Sequence, residues 1–255
     1  MPLEIITIPC LSDNYAYLLH DAQSGETAVV DVPDADPIRR ALAARGWRLS
    51  HIFLTHHHWD HIDGVAPLLE TNRAKVVGAR ADAHRLPDLD LAVAEGETFD
   101  FGGEPVQIFD VSGHTIGHIA FYLPQSAALF SADSLMALGC GRLFEGTPAQ
   151  MHASMEKLAA LPAQTMVYSG HEYTQSNARF ALSVDPDNAD LQARSTAIDA
   201  ARAAGQPTVP APLSLELATN PFLRAGDARL ARAVGMEGAA PVDVFTELRA
   251  RKDKF

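Results

Sequence analysis

The sequence predicts a layered α/β domain followed by a helical domain, and three observations support this prediction. Short runs rich in β-branched and aromatic residues alternate with helical stretches from residue 1 to about residue 174. Several of these runs are apolar throughout, which is typical of strands in a sheet covered by helices. After Tyr173 the chain is Ala- and Arg-rich, with Pro- and Gly-containing breaks. We therefore predict domains over residues 1–174 and 175–255.

The first domain is predicted to contain nine strands, namely EIITI, YAYLL, TAVVDV, HIFLT, KVVGA, VQIFDV, HIAFYL, ALFSA and TMVYS. Two helices lie between them. ADPIRRALAARG offers Asp36 as its N-cap, Pro37 in its first turn and Gly46 at its end. TPAQMHASMEKLAAL opens with Thr147 and Gln150 at capping-box spacing. This alternation is typical of a layered α/β arrangement.

The second domain is predicted to be entirely helical. Its segments are NARFALSV, ADLQARSTAIDAARAAG, DARLARAVG and PVDVFTELRARKDKF. The breaks between them include VDPDN and GQPTVPAP, where Pro and Gly end a helical pattern. We predict no strand in this part of the chain.

Composition excludes several classes of function. The formal net charge of -12 argues against nucleic-acid or anionic-membrane binding, so an anionic substrate needs a local cluster of cations. Two cysteines without a CxxC pair favour a reducing compartment. MPLEIITIPC does not resemble a signal peptide, and no apolar run is long enough to span a bilayer. We expect a cytoplasmic monomer.

Seven histidine and aspartate side chains each follow a predicted strand. They are His56, His58, Asp60 and His61 after HIFLT, His114 after VQIFDV, Asp133 after ALFSA and His171 after TMVYSG. Because strand ends in a layered sheet gather at one edge, we expect these side chains to lie together. The pattern H-x-H-x-D-H is improbable by chance, and it predicts a metal site.

The spacing predicts two ions, since residues two apart in an extended segment point the same way. The predicted sets are His56, His58 and His114 for one ion, Asp60, His61 and His171 for the other, and Asp133 as a bridge between them. Imidazole and carboxylate ligands suit zinc, with iron or manganese as substitutes. Three or four protein ligands per ion leave room for water, which indicates a catalytic site.

The remaining candidates have ordinary explanations. No metal role is predicted for His20, His51, His57, His84, His118 and His152. His57 lies between two ligands on an extended segment and should face the opposite side. Asp31 either orients a ligand or simply ends its strand in a turn, and the sequence leaves both readings open. The chain contains no GxSxG elbow, P-loop or CxxC motif, and GCGRLF lacks the last glycine of a dinucleotide fingerprint.

H-x-H-x-D-H followed by a single His, a single Asp and a final His resembles the metallo-β-lactamase superfamily. LSDNYAYLL, GCGRLFEGT, SGHEYT, TNPFLR and LRARKDKF narrow the resemblance to the glyoxalase II (hydroxyacylglutathione hydrolase) family, over residue 11 to the C-terminus. The resemblance implies an αββα sandwich with two metals at its edge, then a helical domain. It also implies hydrolysis of S-D-lactoylglutathione to glutathione and D-lactate.

The same resemblance implies the ligand sets given above and a set of glutathione contacts. These contacts are Arg142, Phe144, Tyr173, Arg249 and Lys252. Many relatives have tyrosine where this chain has Phe144, so one hydrogen bond to the substrate is lost. Relatives also commonly have glycine at Ala132, where the added methyl group should leave the ligand geometry intact.

The expected nucleophile is a metal-bridging hydroxide held by Asp133 and Asp60, because metal coordination lowers the pKa of water to about 7. A thiolate leaves readily, so no general acid is required. Two alternatives remain at this point. One is a persulfide dioxygenase with a single iron, which the retained Asp60, His61 and His171 disfavour. The other is a zinc-stabilised binding module without turnover.

Overall fold

The computed structural model describes residues 2–255, which form two compact units. The first unit runs to Asp110 and also includes Gly117–Ser131. The second unit comprises Val111–Ile116 and Ala132–Phe255. Candidate ligands occur in both units.

The first unit contains a six-stranded sheet in the order β1-β2-β3-β4-β5-β6. Its strands are β1 (Glu4–Cys10), β2 (Asn14–His20), β3 (Thr27–Val30), β4 (His51–Phe53), β5 (Lys75–Ala79) and β6 (Leu91–Val93). The pairs β1–β2 and β2–β3 are antiparallel, whereas β3 to β6 run parallel. The carboxyl ends of β3 and β4 therefore lie side by side, which brings Asp31 next to the segment that begins at Leu54.

Four antiparallel strands form a second layer of the first unit, in the order β10-β9-β8-β7. They are β7 (Thr98–Phe101), β8 (Glu104–Asp110), β9 (Ile119–Leu123) and β10 (Ala128–Ala132). The two layers meet through aromatic rings. Phe53 of β4 stacks on Phe121 of β9 at 5.2 Å between centroids, with Phe99 and Phe101 against its edges. Burial of these rings adds apolar stabilisation to a core that also contains many aliphatic side chains.

Helices α1 (Ala35–Arg45), α2 (Trp59–Ile62) and α3 (Val65–Thr71) belong to the first unit. The predicted N-cap of α1 at Asp36 is wrong. Asp34 has the extended backbone of an N-cap, and its carboxylate accepts the Asp36 N–H at 3.0 Å. The predicted end at Gly46 is confirmed, with φ of 68° at the C-cap.

The second unit is mostly helical. Its elements are β11 (Leu135–Met136), β12 (Gly139–Cys140), α4 (Pro148–Ala159), β13 (Met166–Ser169), α5 (Thr174–Val184), α6 (Ala189–Ala203), β14 (Ala211–Pro212), α7 (Leu213–Thr219), α8 (Ala228–Ala233) and α9 (Pro241–Lys252). Helix α4 begins with the predicted capping box between Thr147 and Gln150. Strands β11 and β12 pair as a hairpin, and β13 pairs with β14.

All nine predicted strands and the six predicted helices are present in the described chain. The expectation of no strand after Tyr173 is wrong, because β14 pairs with β13. Two residues, one of them proline, carry no readable alternation, so the sequence gives no sign of this strand. Helices α2, α3 and α7, of four to seven residues, were not among the predicted elements. In the described chain, no helix is long and apolar enough to cross a membrane.

Candidate metal centre

The segment after β4 presents the histidine motif of the first unit. Its start is fixed by the Thr55 carbonyl, which accepts the Ile119 N–H at 2.9 Å. His58 has an extended backbone at the N-cap of α2, where the chain turns into the helix. Nε2 of His56 lies 3.2 Å from Nδ1 of His58, so the two imidazoles point at a common position. This agrees with the predicted two-residue spacing.

Asp31 organises this segment from the end of β3. Its Oδ1 accepts the Thr55 N–H at 2.9 Å, and its Oδ2 accepts the Thr55 hydroxyl at 2.8 Å. The same Oδ2 lies 2.8 Å from Nδ1 of His61. Because a carboxylate only accepts, His61 carries its proton on Nδ1 and its lone pair on Nε2. Of the two readings left open by the sequence, the contacts favour a residue that orients a ligand.

Thr55 links Asp31 to His56 and thereby fixes the tautomer of His56. Its hydroxyl proton goes to Asp31, so the oxygen accepts from Nδ1 of His56, which lies 3.0 Å away. His56 therefore also has its lone pair on Nε2. Donor atoms of Asp31, His56 and His61 lie within 4.8 Å of one another. One buried carboxylate thus fixes the tautomers of two candidate ligands.

Asp60 is held by a residue to which the sequence assigned no role. The side-chain amide of Asn14 donates to the Asp60 carbonyl and to its Oδ2, both at 3.0 Å. Oδ2 of Asp60 lies 3.9 Å from Nε2 of His61. Asn14 begins β2 within the LSDNYAYLL segment. A single amide in a strand gives no sequence signal for such a role.

His57 and His118 lie beside this cluster. Nδ1 of His57 is 2.9 Å from Oδ2 of Asp82, while its ring lies 5.1 Å from that of His58 between centroids, so a partner other than the candidate ligands holds one of its nitrogens. His118 stacks on His56 at 4.5 Å between ring centroids and bonds to the Ile119 carbonyl through Nδ1. Its contact with a candidate ligand is through the ring face.

The second unit brings together the other three candidate ligands. Oδ2 of Asp133 lies 3.4 Å from Nε2 of His114 and 3.3 Å from Nε2 of His171. All three side chains are buried. The carboxylate oxygen therefore lies within 3.4 Å of two imidazole nitrogens, and the structure brings these three predicted ligands together.

Local structure accounts for these positions. The Ala132 carbonyl accepts the Gly170 N–H at 3.1 Å, which places the residues after β10 and β13 next to each other. Nδ1 of His114 donates to the Arg142 carbonyl at 2.7 Å, so its lone pair is on Nε2. Gly141 has no side chain, and this leaves space for Asp133 and His114. A Cβ atom at position 141 would lie 2.0 Å from the Asp133 carbonyl oxygen.

The donor chemistry fits divalent metal ions. Tetrahedral zinc with bonds of about 2.0–2.1 Å places its ligand atoms roughly 3.3 Å apart. The observed separations are 3.2 Å in the first unit and 3.3 and 3.4 Å in the second. The Nε2 lone pairs of His56 and His61 in the first unit, and of His114 in the second, are available to bind a metal ion. Imidazole and carboxylate groups arranged in this way are typical of divalent metal binding.

The residues predicted to contact glutathione all belong to the second unit. Tyr173 stacks on His171 at 4.7 Å and is 42% exposed. Phe144 packs edge-on against His114 at 5.3 Å and is 62% exposed. Arg142 has an exposed side chain whose Nε lies 3.7 Å from the Asp253 carboxylate. These side chains form an accessible rim around the His114–Asp133–His171 group.

The two C-terminal cations differ in exposure. Arg249 is buried and donates to the Cys140 carbonyl at 3.0 Å and to Asp253 at 2.8 Å. Lys252 is half-buried, and its amino group donates to the Ser176 carbonyl at 3.3 Å. Burial, together with the nearby charges of Arg249 and Arg179, lowers the pKa of Lys252 to about 8.

Comparisons with known proteins place the chain in a family. The family model described as metallo-beta-lactamase superfamily matches residues 12–171, and the one described as hydroxyacylglutathione hydrolase C-terminus matches residues 172–255. Hydroxyacylglutathione hydrolases of Ruegeria pomeroyi and Jannaschia sp. are 67% and 66% identical to the chain. The alignments cover 100% of both chains in the first case, and 99% of this chain and 98% of the relative in the second.

A solved structure, TTHA1623 in a di-iron-bound form, is 26% identical with a TM-score of 0.61. The match covers 86% of this chain and 100% of that one. The predicted fold class, a metallo-β-lactamase domain followed by a helical domain, is confirmed. The chain therefore belongs to the metallo-β-lactamase superfamily and, within it, to the hydroxyacylglutathione hydrolase family.

Proposed function

We propose that the chain hydrolyses S-D-lactoylglutathione to glutathione and D-lactate, a step of methylglyoxal detoxification. The observation that carries this proposal is the 67% identity, over the full length of both chains, to a hydroxyacylglutathione hydrolase. The matched C-terminal family model adds support, because its description names hydroxyacylglutathione hydrolase and it covers residues 172–255. A dioxygenase or a non-catalytic zinc module is not favoured by these relatives.

The proposed cofactor is a pair of zinc ions, with iron or manganese as possible replacements. The proposed ligands are His56, His58 and His114 for one ion, Asp60, His61 and His171 for the other, and Asp133 as the bridge. The tautomers described above support these roles, since each Nε2 lone pair of His56, His61 and His114 is fixed by a partner at Nδ1. Three-ligand sets leave positions for water and substrate.

When bound, the ions supply Lewis acidity, which lowers the pKa of water to about 7 and offsets charge on the thioester carbonyl oxygen. The residues of this chain contribute orientation. Asp31 and Asn14 hold His61 and Asp60 in place, and Asp133 sets the distance between its two histidines. The leaving thiol has an ordinary pKa of ~8.5, so its departure needs no proton donor from the protein.

The rim of the second unit is the proposed glutathione site. Tyr173 and Phe144 offer ring faces and edges beside the ligand histidines, and Arg142 and Lys252 offer positive charge for the substrate carboxylates. Arg249 is buried, so we propose that it contributes by holding the Cys140 carbonyl and Asp253 near Arg142. These cations act locally in a protein of net charge -12.

We further propose that the protein acts as a monomer in the cytoplasm. Cys10 and Cys140 are both buried and free of disulfide bonds, which suits a reducing compartment. Burial also raises the pKa of each thiol to about 11, so both stay protonated at neutral pH.

The function is tested by following the thioester absorbance of S-D-lactoylglutathione with purified protein. We expect loss of absorbance that a chelator abolishes and zinc restores, with release of one free thiol per thioester cleaved. Elemental analysis of the active protein should give two ions per chain. Metal-loaded protein that leaves the thioester intact would contradict the proposal.

Lys252 should make kcat/KM for the substrate depend on pH. Its pKa of about 8 lies below the usual range for lysine, so the amino group loses its charge as the pH rises through that value. We expect kcat/KM to fall above pH 8 while kcat changes little, because the neutral amine no longer attracts a glutathione carboxylate. The measurement is a pH profile of both parameters.

Lys252→Arg is the matched control for this effect. Arginine stays protonated to a pH above ~12, so the variant should keep a flat profile where the wild type declines. The groups around the amine are Arg249 on the same helix, Arg179 and Ser176 on α5, and Cys140 on β12. An identical decline in both proteins would assign it to another group.

A further inference from the structure

The hairpin β11–β12 joins a proposed metal ligand to a proposed substrate contact. Asp133 precedes the hairpin and Arg142 follows it, with Leu135 paired to Cys140 and Met136 paired to Gly139. This pairing fixes the relative positions of the two ends of the segment. Side chains that fix the position of the hairpin therefore also fix the positions of Asp133 and Arg142.

The base of the hairpin lies directly against the ligands. The Gly141 N–H donates to the Ser134 carbonyl at 3.1 Å, next to Asp133. The Arg142 carbonyl accepts the Nδ1 proton of His114 at 2.7 Å, which sets the orientation of that imidazole. A small shift of the base would therefore move Asp133 and turn His114.

The tip of the hairpin is buried and bound by polar side chains from the helices. Leu138, at φ of 56°, donates its N–H to Oε2 of Glu216 at 2.8 Å. The amide of Asn220 donates to the Met136 and Gly139 carbonyls at 3.1 and 3.0 Å. Asn177 donates to the Ala137 carbonyl at 3.0 Å. Backbone groups at four successive positions, 136 to 139, are thus satisfied by side chains.

Glu216 is the centre of these contacts and is fully buried. Its Oε2 accepts from Leu138 and, at 3.1 Å, from Asn220, while its Oε1 pairs with Arg194. Arg194 is itself buried and donates to Thr219 at 2.7 Å. Buried ion pairs are poor sources of stability, because removing two charges from water costs much of what their attraction returns. The contacts that Glu216 makes with the hairpin therefore matter more for fixing one conformation than for overall stability.

We propose that Glu216 is a positioning residue for the metal centre, acting through the β11–β12 hairpin. Glu216 holds the tip, the paired strands transmit that position, and the base places Asp133 and the carbonyl that orients His114. The helical part of the chain thereby controls ligand geometry as well as binding substrate. This inference rests on the ligand roles proposed above and extends them to a residue of α7.

The decisive variant is Glu216→Gln, which keeps the shape of the side chain. Glutamine offers one acceptor oxygen where Leu138, Asn220 and Arg194 all donate, so its NH₂ group must face at least one donor. We expect the tip to loosen and Co²⁺ affinity to fall about tenfold, the effect typical of a residue that orients metal ligands. The visible spectrum of the Co²⁺-loaded protein should change, and kcat should fall in parallel.

Asp185→Asn is the matched control. Asp185 forms a half-buried ion pair with Arg224 in the same unit, occupies the C-cap position of α5 and lies outside the hairpin. It should lower the melting temperature and leave the Co²⁺ spectrum and affinity unchanged. Should Glu216→Gln fail to fold, Asn177→Ala, which removes one bond to the tip, should weaken Co²⁺ binding in the same direction.

Two results separate the inference from the proposed function. A wild-type protein that binds Co²⁺ but leaves the thioester intact would count against the function and leave the positioning role measurable from the spectrum. Folded Glu216→Gln or Asn177→Ala protein with the Co²⁺ spectrum and affinity of the wild type would overturn the positioning role.

Discussion

Replacing Asp133 by alanine is expected to lower the rate of S-D-lactoylglutathione hydrolysis by more than ~100-fold. Changes to residues that merely orient a metal ligand cost about 10–100-fold, and a ligand between two ions should cost more. The structural basis is the position of Oδ2, within 3.4 Å of His114 and 3.3 Å of His171. In the proposed site, removal of the carboxylate takes away negative charge that would balance the bound cations.

Metal content distinguishes this loss from misfolding. Elemental analysis of Asp133→Ala should find at most one metal ion per chain. The far-ultraviolet circular dichroism spectrum of the variant should be the same as that of the wild type. Asp187→Ala is the matched control, because Asp187 is an exposed aspartate in the same unit. It should keep both ions and full turnover. Turnover in Asp133→Ala near that of the wild type would refute the bridging role and the two-metal mechanism with it.

The strands and the metal motif were readable from the sequence for the same reason. Short apolar runs such as HIFLT, rich in β-branched and aromatic residues, favour buried strands, so the polar residues that follow them are expected at one edge of the sheet. The extended backbone then forces His56 and His58 to one side and His57 to the other. Periodicity alone predicts these directions, and no knowledge of distant contacts is required.

Contacts between distant parts of the chain were not readable. Asn14 reaches Asp60 across 46 positions, and Glu216 reaches Leu138 across 78. Each is a single polar residue inside an ordinary strand or helix, where pattern and propensity predict only local structure. The N-cap of α1 was predicted wrongly for a related reason. Asp34 and Asp36 are both favourable N-cap residues, and only the backbone geometry distinguishes them.

Asp31→Asn is expected to lower metal affinity and kcat by about 10–100-fold, although the residue binds no metal in the proposed site. Asparagine keeps the shape of aspartate but replaces one oxygen by an NH₂ group. If that group faces His61, the imidazole must move its proton to Nε2 and lose the lone pair needed for a metal. The Thr55 hydroxyl must then turn toward His56 and force the same exchange there.

The opposite orientation of the amide is also unfavourable. The NH₂ group would then face the buried Thr55 N–H and leave that donor without an acceptor. Asp82→Asn is the matched control, since Asp82 is equally buried and makes the equivalent contact with His57, which is not a proposed ligand. Chelator competition and kinetics on both variants separate tautomer control from loss of a buried charge. Equal losses of metal affinity in Asp31→Asn and Asp82→Asn would show that the charge, and not the tautomers of His56 and His61, is what the site requires.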